Sequence, residues 1–118
     1  MELRSTSQLY QLTAYQNHME NILQWILRLE EQLDREERIS SNDLKIVKEQ
    51  FQKHEEFMIS LTKDQNQIGQ VLEEGNRLIT STDLHFEIRE ENEIKEQMKI
   101  LNRRWESLRL KSLERQSL

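Results

Sequence analysis

Large residues recur from Leu12 onward as Leu12, Tyr15, Met19, Ile22, Ile26, Leu29 and Leu33, in alternating steps of three and four, with Trp25 alongside. Steps of that kind mark a helix that buries one narrow seam. The pattern fails across Arg35 to Ser40, and Ser41, Asn42 and Asp43 then offer side-chain oxygens to the free N–H groups of a new helix. A loop is therefore expected near residues 36–42. The second run reads Leu44, Val47, Phe51, His54, Met58, Leu61, Gln65, Ile68, Leu72, Gly75 and Ile79, again in threes and fours. A helix of about 35 residues is about 50 Å long. Thr80, Ser81, Thr82 and Asp83 follow, short polar residues that compete with helical bonding, so a second loop is expected near residues 80–86. The third run is Ile94, Met98, Leu101, Trp105 and Leu108, preceded by Glu87, Glu90, Glu91 and Glu93, which suit the positive end of a helix dipole.

Three such seams joined by short loops satisfy one another as an all-α, up-down-up, left-handed three-helix bundle. Its helices are expected at about residues 5–35, 42–79 and 86–117, in a single repeat over 1–118. A heptad seam can also pair between chains, but the two breaks favour a closed, monomeric bundle. The expected core is Tyr15, Met19, Ile22, Trp25, Ile26 and Leu29 from the first helix, and Val47, Phe51, Met58, Leu61, Ile68, Leu72 and Ile79 from the second. Ile94, Met98, Leu101, Trp105 and Leu108 complete it from the third. Gly75 suits a close helix crossing, and the polar seam residues His54 and Gln65 belong at the core's edge or in hydrogen bonds.

Composition adds constraints. The 118 residues are 35% hydrophobic and 33% charged, with no proline and two glycines, which fits long charged helices better than sheet. The absence of cysteine excludes disulfides and thiolate zinc, and points to a reducing, intracellular setting. No run approaches the roughly 18 apolar residues of a membrane-spanning helix. A net charge of -5 argues against general nucleic-acid binding, which depends on Lys and Arg displacing counterions.

Catalytic and metal chemistry find little support. His18, His54 and His85 lack the i, i+4 spacing of a helical zinc pair. Asp64, Asn66 and Gly69 start like a calcium loop, but Ile68 and Gly75 fall where ligands are required. Neither glycine is followed by Lys, so no phosphate cradle is present. Adjacent acids such as Glu30 and Glu31, or Glu55 and Glu56, point in different directions from a helix and read as solvated faces. No enzyme activity, cofactor or metal is expected.

Several segments carry a family likeness: LQWILRLE with Trp25, KEQFQKHEEFMISL, the GNRLI that closes the second helix, and LNRRWESLR with Trp105. The chain resembles a spectrin repeat from about Leu12 onward, its two tryptophans matching the paired core tryptophans of that family. Within the family, AYQNHMENILQWIL, GQVLEEGNRLI, EIKEQM and SLERQSL resemble the first rod repeat of large cortical linkers. The resemblance implies a structural spacer whose partners are adjacent repeats in the same chain, placed in the cytoplasm at the cell cortex. It further implies a rod that follows a paired calponin-homology actin-binding region, with lateral contacts to actin filaments and, for some repeats, to anionic lipid. Arg103, Arg104, Arg109, Lys111 and Arg115 are the candidate contacts, as one basic surface on the third helix. Leu3, Leu9, Leu110, Leu113 and Leu118 are candidates for the junctions with neighbours. A helical adaptor that seats a partner on one bundle face is the alternative reading.

Overall fold

The computed structural model describes residues 6–37, 43–81 and 86–116, with side chains over 7–35, 43–81 and 86–114. Three helices run in order: α1 (Thr6–Glu37), α2 (Leu44–Thr80) and α3 (Ile88–Gln116). Each packs on the other two, in a rod measuring 69 × 19 × 18 Å. His18 on α1 meets Glu74 on α2, and His54 on α2 meets Ser112 on α3, so α2 runs against both neighbours. Expected candidates at Leu3, His85 and Leu118, and the Arg115 side chain, lie outside the described residues.

The helix starts follow from capping chemistry. Asp43, in extended backbone, accepts from the Lys45 N–H at 2.9 Å, which satisfies one of the donors a helix N-terminus leaves free. At α3 the Glu87 N–H donates to the Glu90 carboxylate at 3.2 Å, while the Glu87 carbonyl accepts from the Glu91 N–H at 3.0 Å. This is the reaching-back half of a capping box, and Glu90 and Glu91 also place negative charge in the first turn. The Ser81 N–H, bonded to the Arg77 carbonyl at 3.0 Å, closes α2.

The seam of α1 is fully inside: Leu12, Tyr15, Met19, Ile22, Ile26, Leu29 and Leu33 are all buried. Gln8, one step earlier, is buried with them. On α3, Ile94, Leu101, Trp105 and Leu108 are buried and Met98 packs against them. Ser112 extends that seam by four residues, fully covered, its hydroxyl donating to the Leu108 carbonyl at 2.8 Å.

The second helix corrects the expected core. Leu61 and Ile68 are buried, but Phe51 is 60% exposed, and Val47, Met58, Leu72 and Ile79 are only half-buried. The residues inside are Phe57, Leu61, Ile68, Val71, Gly75 and Leu78. The two readings share the row through Val47, His54, Leu61, Ile68 and Gly75; they differ in the companion row, which sits one residue earlier than expected. A helix in a three-helix bundle faces two partners, so its apolar stripe is wider than one seam. Phe57 and Met58, Val71 and Leu72, and Leu78 and Ile79 all offer apolar neighbours, and periodicity alone does not choose between them. The shift also moves Gln65 to the surface, with Asp64 half-buried in its place.

The two glycines of α2 have opposite surroundings. A Cβ on Gly75 would lie 2.8 Å from the Met98 sulfur and 3.0 Å from a ring carbon of Tyr15, whereas one on Gly69 would meet nothing within 4 Å. Gly69→Ala is accordingly expected to raise stability by about 1 kcal/mol through helix propensity. Gly75→Ala should show no such gain, because Met98 and the buried Tyr15 ring must yield. Urea melts of the two variants, compared by midpoint at unchanged slope, test the contrast.

Candidate functional site

Along the middle of the rod, Trp25 and Trp105 stack with ring centroids 6.0 Å apart and planes inclined by 24°. Trp105 is buried, whereas Trp25 is half-buried and packs against the core from α1. Offset stacking of this kind adds about 0.5–1.5 kcal/mol beyond the area the rings bury. The pair joins α1 to α3 side by side, and the Arg104 guanidinium donates to the Glu30 carboxylate just beyond it. With each side chain about a third exposed, an ion pair of this type contributes at most about 1 kcal/mol.

That ion pair changes the expected basic surface. Arg104 is engaged across the α1–α3 interface, not presented outward. Arg109 bonds to Glu106 on its own helix at 3.1 Å. Five residues apart, the two arginines are separated by about 140° around α3 and lie on opposite edges of the seam. Among the described candidates, Arg103 and Lys111 stand exposed and outside any ion pair. The four described positions therefore do not make one surface. The balance of charge shifts along the helix: the first half carries Glu90, Glu91, Glu93 and Glu96 with Arg89, Lys95 and Lys99, and the second carries Arg103, Arg104, Arg109, Lys111 and Arg115 with Glu106 and Glu114.

Two polar clusters tie α2 to its neighbours. His54 Nε2 lies 3.2 Å from the Ser112 carbonyl, and its ring stacks on Phe57 at 6.0 Å, an edge-of-core position with a hydrogen-bond partner. At the opposite end His18 Nδ1 lies 3.0 Å from the Glu74 carboxylate. Beside it the Tyr15 hydroxyl is buried with no hydrogen-bond partner among the described residues. Burial, and then the Glu74 charge, push its pKa up to about 12.

The sign of the resulting pH dependence follows from linkage. A tyrosine in the unfolded chain ionises near about 10, so Tyr15 stabilises the fold below that pH, and the contribution is lost as pH rises toward the folded value of about 12. Across that window stability should fall by up to about 1.4 kcal/mol per pH unit on this group's account. Tyr15→Phe should remove that part of the loss. Denaturant melts of parent and variant from neutral to alkaline pH check this; parallel curves would place the phenol in water.

None of these clusters is a metal site: no group of three or more His, Cys, Asp or Glu side chains able to hold an ion occurs among the described residues. No helix among them is long and apolar enough to cross a membrane. The grooves between helices are shallow and lined by mixed side chains, such as Leu29, Gln32, Lys53 and Phe57 between α1 and α2.

The spectrin-repeat family model matches residues 10–118. This chain belongs to the spectrin-repeat family. Among characterised relatives, utrophin of Rattus norvegicus is 48% identical over 106 residues, 90% of this chain. Dystrophin, isoforms A/C/F/G/H, of Drosophila melanogaster is 34% identical over 116 residues, 96% of the chain. Dystrophin-1 of Caenorhabditis elegans is 31% identical over 108 residues, 92% of the chain. The spectrin repeat described here spans only about 3% of the length of each of these relatives.

Sequence reasoning missed Phe57, Val71, Leu78 and the buried Ser112. A signal existed for Ser112, which falls on the next heptad position after Leu108. No local signal foretold that Arg104 pairs with Glu30, since the residues are 74 apart in the chain.

Proposed function

We propose that this chain is one rod repeat, residues 1–118, of a cortical cytoskeletal linker of the dystrophin/utrophin type. It acts as a spacer that bears load along its axis between an actin-attached end and a membrane complex. Its constant partners are adjacent repeats of the same chain, in the cytoplasm beneath the plasma membrane. Lateral contacts to actin filaments, and more weakly to anionic lipid, run through Arg103 and Lys111 on α3.

The observation that carries this reading is where apolar surface remains. Leu9, Tyr10 and Ile88 are exposed at one end of the rod, and Leu44, Ile46, Phe51, Leu110 and Leu113 toward the other. Between them the exposed apolar side chains thin to Leu27, Ile59 and Ile100. Units joined in series would cover their ends and leave their flanks wet.

Stretching a tandem array of this repeat in a single-molecule force experiment tests the mechanical claim. Each opening should lengthen the array by roughly 340 Å, the difference between an extended chain of 118 residues and a 69 Å rod. Smooth extension with no discrete steps would sink the load-bearing reading. The adaptor reading has one observation in its favour, the exposed Leu44, Phe51 and Ile59 on α2.

A further inference from the structure

Helix α2 is packed unevenly. Over its first thirteen residues, Leu44 to Glu56, no residue is buried; the buried series begins at Phe57 and runs to Leu78. The seam positions in that first part are Val47, Gln50 and His54, all half-buried, with Ser112 of α3 facing His54. The large apolar residues of the same part, Leu44 and Phe51, sit on the outer row at 68% and 60% exposure. Two of the three inward positions are thus polar while the largest apolar side chains face out, unlike the remainder of the helix. The His54–Ser112 hydrogen bond and the His54–Phe57 stack fasten the segment close to where the buried series begins.

We infer that residues 44–56 form a strap that detaches from α1 and α3 as a unit while the bundle from Phe57 onward stays closed. Elements with few buried apolar contacts open at lower free energy than the core they lie on, in contiguous cooperative units. Detachment uncovers the α1 groove at Leu29, beside Lys53 and Glu56, and the α3 surface at Ser112, and gives the repeat a short, reversible extension that precedes full opening. The inference stands on packing alone and does not require that the repeat bear load.

Native-state hydrogen exchange, read residue by residue on the intact chain, tests it. Amides of 47–56 should share a common protection about a hundredfold or more below those of 61–78, with a step near Phe57. Protection that climbs smoothly from Leu44 is end fraying and overturns the strap, as does equal protection along all of α2. Gln50→Leu, which puts an apolar side chain on the seam, should slow exchange by about tenfold or more across the whole segment together. Phe51→Gln, on the outer row, should leave the step in place. Slowing confined to the neighbours of residue 50, or loss of the step in the Phe51 variant, would overturn the inference.

Discussion

Phe57→Ala is expected to cost about 3–5 kcal/mol, while Phe51→Ala, six residues earlier on the same helix, should shift stability by less than about 0.5 kcal/mol. Both are phenylalanines in one run of sequence, and a hydropathy plot treats them alike. They differ in position: Phe57 is 3% exposed and stacks on His54, whereas Phe51 is 60% exposed. Truncating the first removes a buried ring and leaves a cavity between three helices; truncating the second removes a ring that water already reaches. Guanidinium or urea melts, compared by midpoint, give the answer directly. Equal costs would mean that α2 turns the row through Phe51 and Met58 inward.

Trp105→Ala should have a similarly large effect, about 3–5 kcal/mol, out of the roughly 5–15 available to a domain of this size. The ring is 8% exposed, with fully buried neighbours on the α3 seam at Leu101 and Leu108. Trp25→Ala should cost less, about 1–3 kcal/mol, since part of its ring is already in contact with water. Because the two rings stack at 6.0 Å, the losses should not add. A double-mutant cycle is expected to return a coupling of about 0.5–1.5 kcal/mol. Strict additivity would mean that the rings do not interact in solution.

The fold was legible because heptad spacing, interruption and capping agree. The first and third helices could be read almost residue by residue, since each has one strong apolar row bounded by charge. The helix ends fell within two residues of those expected, helped by Asp43 and the glutamates before α3. The second helix was legible as a helix but not in its orientation. Apolar pairs such as Val71–Leu72 and Leu78–Ile79 present two rows at once, and only the packing of α1 and α3 selects one. The basic residues of α3 were legible as a composition, not as a surface. Whether an arginine faces outward depends on a carboxylate far away in the chain, as Glu30 shows for Arg104. Tyr15 was expected inside, but its uncompensated hydroxyl follows from which groups surround it, which no spacing rule encodes.

The glycine at position 75 has a consequence for the packing of both neighbouring helices. The atoms that a side chain there would strike belong to Tyr15 of α1 and Met98 of α3. One missing carbon therefore leaves room for side chains of both neighbouring helices to meet over the same point of α2. A larger residue would have to displace the Met98 thioether and the Tyr15 ring together, so the packing of both neighbours answers to a position that carries no side chain of its own.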